Sequence, residues 1–237
     1  MMMKSATFSN YQENLTHDRV HVAVREIKEE SYRAMRSAGY SWGQSQSAGR
    51  IASVSEIFWG TGISQALSDV RRRFVTRRTP KVTQNSNEIL LKTRGVSTLM
   101  AASFAIALSQ SHPEKKVFIK GSDFGPDVAA AVWDTKRAPN QTITWGSADA
   151  SETRDLSVLE NGDFVSHLRH KTMTPTSKKY ASLWFVICHS ETISGNVVIG
   201  KKEKEERMNK ALISGLDVSR SKWEQLSSES FKFLVAE

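Results

Sequence analysis

Hydrophobic positions recur at helical spacing in the first part of the chain and give way to short apolar runs further on. Val24, Ile27, Met35 and Ala38 form a partial apolar stripe, which is typical of a helix that packs with one face. The stripe predicts a first helix over residues 21–37. We expect this helix to belong to an N-terminal helical hairpin.

A glycine break separates the first helix from a second one. Gly39 stands where a C-terminal glycine cap belongs, and Ser41 is suited to cap the following helix. The second helix is predicted to continue with interruptions at Gly60 and Gly62. The polar stretch 79–87 contains a proline and predicts a boundary between this helical part and the remainder of the chain.

Beyond that boundary the pattern alternates between short strands and helices. Strands are predicted over 88–92, 117–120 and 142–145, with helices over 96–110 and 127–137 between them. This βαβαβ order implies a parallel sheet where the strands are neighbours. Further strands are predicted over 156–159, 164–168 and 182–189, and closing helices over 202–214 and 219–231. The predicted fold class is α/β, with mixed α+β as the alternative, in which the hairpin packs on a mixed sheet with flanking helices.

Size and composition are those of a globular domain. The 237 residues are 39% hydrophobic, so the chain can bury a core without disulfides. We expect a flexible arm over 1–19, a helical part over 20–79 and an α/β part over 80–237, all within one compact domain. Cys188 is the only cysteine, which fits a reducing, cytoplasmic compartment. The longest apolar-rich run, 99–108, is about half as long as a bilayer-spanning helix, so no membrane contact is expected.

The chain is basic, and its densest positive block lies over residues 71–78. The formal net charge is +8 at pH 7. On a helix, the five arginines of this block would surround the circumference, whereas tracking a phosphate backbone needs them on one face. A solvated helix end that enters a loop is the plainer interpretation. Nucleic-acid binding through 71–78 is kept as an alternative.

The best candidate site is a predicted strand-to-helix junction over residues 121–127, where open α/β sheets place their ligands. Asp123 is a candidate acid, base or polar substrate ligand, and Ser122 is a second candidate catalytic residue. The glycine spacing fits neither nucleotide-binding fingerprint. Asp123 and Asp127 would also repel an anion at the start of the helix. The alternative is a helix start that Ser122 or Asp123 caps.

A second junction of the same kind carries charge of the opposite sign. Arg94, together with the hydroxyl groups of Ser97 and Thr98, is a candidate anion site for a carboxylate or a phosphate. The alternative is an ordinary Ser or Thr cap beside a solvated arginine.

Histidine and cysteine spacing predicts no metal site and no nucleophile pair. His167 and His170 lie three residues apart in a predicted strand, where such residues point to opposite faces. Cys188 and His189 are neighbours in another predicted strand and also cannot face each other. We expect Cys188 to be buried as a small hydrophobic side chain.

Several segments resemble an uncharacterised bacterial protein family. Residues 25–27 (REI), 38–43 (AGYSWG) and 48–50 (AGR) are similar to the opening of that family. Residues 221–226 (SKWEQL) are similar to the tryptophan-leucine helix near its end. Because the family has no established function, the resemblance implies architecture and no catalytic residues.

The same helix, break and helix more distantly resemble the N-terminal hairpin of the malate/L-lactate dehydrogenase family, which uses nicotinamide cofactors. In that family a histidine-containing segment follows the second helix. The corresponding segment here, 58–64 (FWGTGIS), has no histidine, which argues against the same hydride-transfer chemistry.

These observations favour an accessory or small-molecule-binding protein of bacterial metabolism, without identifying its ligand or any cofactor. The alternatives are an enzyme with its site at 121–127, such as a divergent NAD(P)-dependent oxidoreductase, and a nucleic-acid-binding protein. The sequence leaves open whether the chain reacts with its ligand, and whether a partner subunit or a second copy binds it.

Overall fold

The computed structural model describes residues 18–71, 81–93, 98–120, 142–147, 154–168, 184–190 and 193–235. The helices of this part are α1 (Val24–Ser37), α2 (Trp42–Trp59), α3 (Gly62–Arg71), α4 (Thr98–Ser111), α5 (Lys201–Ser214) and α6 (Arg220–Val235). The strands are β1 (Arg19–Val22), β2 (Lys81–Gln84), β3 (Glu88–Lys92), β4 (Lys116–Lys120), β5 (Thr142–Ser147), β6 (Arg154–Val158), β7 (Phe164–Leu168), β8 (Trp184–His189), β9 (Asn196–Ile199) and β10 (Leu216–Ser219). The predicted α/β class with a mixed sheet is confirmed.

Eight strands form the larger sheet, in the order β2-β3-β4-β8-β5-β6-β7-β9. β3 and β4 are parallel, and the other neighbouring pairs are antiparallel. The predicted parallel sheet is therefore right for β3 and β4 and wrong for β5. β5 does run in the same direction as β4, but β8 lies between them and pairs with both. The apolar pattern marked β3, β4 and β5 correctly but carried no information about which strands are neighbours.

The glycine break between α1 and α2 has the predicted caps. Gly39 follows α1 with a φ of 89°, which places it in the left-handed region that favours glycine. The Ser41 hydroxyl accepts a hydrogen bond from the backbone N–H of Gln44 at 3.4 Å, and the Gln44 side chain accepts from the backbone N–H of Ser41 at 3.1 Å. This reciprocal capping box starts α2. Gly60 ends α2 with a φ of 66°.

The predicted start of the first helix is wrong because a short strand there pairs with a strand near the other end of the chain. The first helix begins at Val24, since the preceding residues form β1 and pair antiparallel with β10. The polar stretch over 79–87 also contains an unpredicted strand, β2, which is exposed, pairs with the adjacent β3 and forms one end of the larger sheet; the boundary between the helical part and the α/β part stays a prediction. A four-residue strand is too short to show a period of its own.

The larger sheet buries its two faces in different ways. One face joins the helices in the main core, to which Ile143, Trp145 and Cys188 contribute. The prediction that Cys188 is buried is confirmed, since its relative exposure is 0%. The opposite face carries a small separate apolar cluster of Leu90, Phe118, Phe185 and Ile187. Next to that cluster the same face turns polar, and the candidate site lies there.

Close backbone contact holds the helical layer together at Gly62. A Cβ atom at Gly62 would lie 1.8 Å from the backbone oxygen of Ala52 in α2, so only glycine lets α3 begin against α2. The C-terminal helix α6 packs on α1 and α3. In the described ranges, no helix has the length and apolar character needed to cross a membrane.

Candidate functional site

Most of the site residues predicted from the sequence lie outside the described residues. Ser122 and Asp123 fall in one such stretch, and Arg94 and Ser97 fall in another. Thr98 is the first residue of α4, and the contacts of its side chain are not described. The 121–127 site and the anion site at Arg94, Ser97 and Thr98 therefore stay predictions.

The basic block is described only at its first residue. Arg71 ends α3, is exposed, and donates a side-chain hydrogen bond to the Gln225 side chain of α6. The remaining arginines of 71–78 lie outside the described residues. Nucleic-acid binding through this block stays a prediction.

A row of four hydrogen-bonded side chains crosses four adjacent strands on the polar face of the sheet. It consists of His167 on β7, Ser157 on β6, Thr144 on β5 and His189 on β8, and we call it the histidine row. Nε2 of His167 lies 2.8 Å from the Ser157 hydroxyl oxygen. That oxygen lies 2.6 Å from the Thr144 hydroxyl oxygen, which in turn lies 2.8 Å from Nε2 of His189.

Strand register brings these residues to one face. Thr144 lies directly opposite Ser157 in the β5–β6 pair, and opposite residues in a ladder share a face. His189 lies opposite Thr142, two positions from Thr144 and so on the same side of the sheet. Its neighbour Cys188 belongs to the main core on the other face, so the prediction that these two side chains cannot pair is confirmed.

The row runs from a buried end to a partly exposed end. Thr144 and Ser157 have a relative exposure of 0%, and His167 of 4%, whereas His189 is only partly buried. Because buried polar groups need partners, a row of this kind is held firmly in place. His189 is therefore the least buried member of the row, although its Nδ1 atom is itself buried.

A buried carboxylate stands beside the row. Asp155 has a relative exposure of 1% and lies opposite His167 in the β6–β7 pair. Its carboxylate occupies space that a side chain at Gly146 would need, since a Cβ atom there would lie 2.4 Å from Oδ1 of Asp155. The glycine in β5 thus makes room for an acidic group next to the row.

The hydrogen bonds of the row have one consistent direction when both rings are neutral. Nδ1 of His167 lies 3.1 Å from the carbonyl oxygen of Leu168, which can only accept, so His167 carries its proton on Nδ1. Its Nε2 therefore accepts from Ser157. Ser157 then accepts from Thr144, and Thr144 accepts from Nε2–H of His189. A neutral His189 therefore carries its ring proton on Nε2.

This direction allows the row to carry a proton along its length. If Nδ1 of His189 takes up a proton, Nε2 can pass one to Thr144, and Thr144 passes its own to Ser157. Ser157 then delivers a proton to Nε2 of His167, so the charge moves from one imidazole to the other without a side chain changing place.

Metal chemistry finds no support among the residues that the structure describes. No group of three or more His, Cys, Asp or Glu side chains in that part of the chain could hold a metal ion. Sequence reasoning considered His167 only together with His170, and thus missed its connection to His189. Polar residues at alternate positions of buried strands, such as Thr142 and Thr144 or Asp155 and Ser157, were the available signal.

Comparisons with known proteins connect the fold to dehydrogenases. No protein-family model matches the chain, and no curated protein does. The chain is similar to the structure of a dehydrogenase from Sinorhizobium meliloti, with a TM-score of 0.64 and 8% identity over 90% of this chain and 99% of that one. It is also similar to malate dehydrogenase from Pyrococcus horikoshii OT3, with a TM-score of 0.65 and 8% identity over 94% of this chain and 98% of that one.

At this level of identity the likeness establishes the fold alone. The chain has a malate dehydrogenase-like fold, so the distant resemblance to malate/L-lactate dehydrogenases is confirmed for its architecture. The resemblance to an uncharacterised bacterial family stays a prediction, because no family model matches.

Proposed function

We propose that this protein binds a small hydroxyl-bearing metabolite at the partly exposed end of the histidine row, with His189 as the side chain that contacts it. The observation that carries the proposal is the continuous chain of three hydrogen bonds from His189 through Thr144 and Ser157 to His167. These hydrogen bonds fix the orientation of the His189 ring, with its proton on Nε2. A ligand hydroxyl group is the complementary donor.

A purely structural role does not require two titratable rings at the ends of the row. Two hydroxyl groups on neighbouring strands can satisfy each other, and an apolar pair of the same shape would be nearly as stable. An imidazole at each end instead gives the row the capacity to accept and move a proton. This capacity supports a site that polarises its ligand or removes a proton from it.

Cofactor-dependent oxidoreduction is the second candidate, supported by the fold of the two dehydrogenases. A dinucleotide commonly places its diphosphate at a helix N-terminus. The starts of α2, α3 and α5 already bind side chains of this chain, namely Ser41, Glu56 and Asp163. These three helix starts do not fit a diphosphate, and the junctions at 94–97 and 121–127 lie outside the described residues.

The test is a binding screen with a matched pair of histidine variants. Thermal shift and calorimetry would be recorded with L-malate, L-lactate, NAD⁺ and NADP⁺, since a ligand that binds only the native state raises its stability. His189→Gln keeps an N–H group for Thr144 but removes the Nδ1 acceptor. His21→Gln is the control, because His21 lies on β1 in the separate two-stranded sheet, where its Nδ1 atom is 2.9 Å from Asp217.

We expect a hydroxy acid to stabilise the wild type and the His21→Gln variant, and to lose its effect in His189→Gln. An unchanged shift in His189→Gln would show that the ligand binds elsewhere. The absence of a shift with any hydroxy acid would contradict the proposal, and a shift with NAD⁺ or NADP⁺ alone would favour the second candidate.

A further inference from the structure

A polar cavity lies in the helical part of the molecule and shares no residue with the histidine row. It has a volume of about 180 Å³ and lies where the strands β1 and β10 meet the end of α2 and the starts of α3 and α6. Its charged lining consists of Glu56, Arg19, Asp217 and Lys222. These four side chains come from four different elements, so the fold assembles this lining.

The carboxylate of Glu56 is held in place by hydrogen bonds but can accept further ones. Its Oε2 atom accepts a hydrogen bond from the backbone N–H of Ile63 at 2.9 Å. Burial raises the pKa of Glu56, against the opposing effects of the Ile63 and Gly62 amides and of the cations Lys222 and Arg19. A carboxylate offers about four acceptor positions, so two amides leave acceptor capacity for a ligand in the cavity.

Cations occupy the solvent side of the same cavity. Arg19 and Lys222 are both exposed, and Nζ of Lys222 donates to the Ser64 hydroxyl group at 2.8 Å. The second acid, Asp217, is already bound to Nδ1 of His21 at 2.9 Å. A ligand entering the cavity would therefore pass two exposed positive side chains and then reach the partly buried Glu56 carboxylate.

This order of charges selects among ligand classes. A simple anion would be attracted by Arg19 and Lys222 but repelled by the Glu56 carboxylate in surroundings of low dielectric constant. A simple cation would be attracted by Glu56 but repelled by Arg19 and Lys222. A molecule with an ammonium group and a carboxylate at opposite ends satisfies both. The volume, equal to roughly six water molecules at 30 Å³ each, suits a compact molecule of this kind.

We propose that the cavity binds a small α-amino acid, with its ammonium group on Glu56 and its carboxylate between Arg19 and Lys222. The site is independent of the histidine row. Loss of binding at His189 and loss of binding at Glu56 can therefore be measured separately in the same protein.

The test measures the binding to the full chain of amino acids and of analogues that carry only one of the two charged groups. L-alanine, glycine and L-serine would be titrated by calorimetry, beside ethylamine and propionate, which each carry one of the two charged groups. Glu56→Gln keeps a side-chain carbonyl for the Ile63 amide while removing the charge. Lys222→Met removes one rim cation. Lys232→Met is the control on the same helix, where Lys232 forms an ion pair with Glu229.

We expect saturable binding of at least one of the three amino acids, about tenfold or more weaker in Glu56→Gln and in Lys222→Met and unchanged in Lys232→Met. Ethylamine and propionate should bind at least about tenfold less tightly than that amino acid. Equal affinity for propionate, an unchanged affinity in Lys222→Met, or no saturable binding of any of the three would each overturn the proposal. Because Lys222 is exposed, its variant keeps the test decisive even if Glu56→Gln fails to fold.

Discussion

The two hydroxyl groups of the histidine row allow a quantitative prediction about stability. Ser157→Ala removes the oxygen that lies 2.6 Å from the Thr144 hydroxyl group and 2.8 Å from Nε2 of His167. Both partners are buried, so each is left without this bond and without bulk water to replace it. Since an unpaired buried polar group costs roughly 1–3 kcal/mol, the variant should lose about 2–4 kcal/mol of unfolding free energy.

Thr144→Val is the complementary change, because it keeps the shape of the side chain and removes its hydroxyl group. Ser157 then no longer accepts a hydrogen bond from Thr144 but still donates one to His167. The partly exposed His189 can donate to water in place of Thr144. We therefore expect a smaller loss of about 1–2 kcal/mol. In the double variant the Ser157–Thr144 bond is lost only once, so the combined cost should fall short of the sum by about 1 kcal/mol.

Urea unfolding of the wild type, both single variants and the double variant measures this coupling. Additivity within about 0.3 kcal/mol would mean that the two hydroxyl groups do not interact. Nitrogen-15 NMR of the imidazoles tests the direction of the row independently. We expect His167 with its proton on Nδ1 and His189 with its proton on Nε2, and the reverse pair of tautomers would refute the assigned direction.

Three further predictions concern the glycine contact, an exposed ion pair and the cysteine. Gly62→Ala should destabilise the protein by roughly 3 kcal/mol, since its Cβ atom would lie 1.8 Å from the backbone of α2. Gly43→Ala is the control and should leave the stability unchanged, because a Cβ atom there has nothing within 4 Å. Thermal unfolding of the two variants measures the difference. A hydrogen bond to Asp217 raises the pKa of His21, so this pair stabilises the fold below the ordinary pKa of histidine and loses its effect as the pH rises through the raised value. Asp217→Asn should lower the His21 pKa in an NMR titration, and an unchanged pKa would exclude the pair. Burial raises the pKa of Cys188 to about 11, so a thiol reagent should modify it only after unfolding; rapid modification of the native protein would contradict its burial.

The helical hairpin could be predicted because its signals are local. Gly39 and Gly60 end helices with positive φ angles, and Ser41 starts the second helix through a bond to a residue three positions away. Such signals act within a single turn and depend little on the rest of the fold. The strands β1 and β10 lacked any local signal, because each is stabilised by a partner from the other end of the chain.

The candidate site depends on strand order, which the hydrophobic pattern does not contain. The alternation of polar and apolar residues correctly assigns Cys188 and His189 to opposite faces of β8. It cannot say which strand β8 pairs with, because any strand with a suitable apolar face could fill that place. Had β5 paired with β4, as the βαβαβ pattern suggested, Thr144 would lie beside β4, and His189 would not reach its hydroxyl group. The histidine row therefore exists because β8 enters the sheet between β4 and β5. For the same reason, moving one strand would remove the proton path while leaving every apolar residue on its buried face.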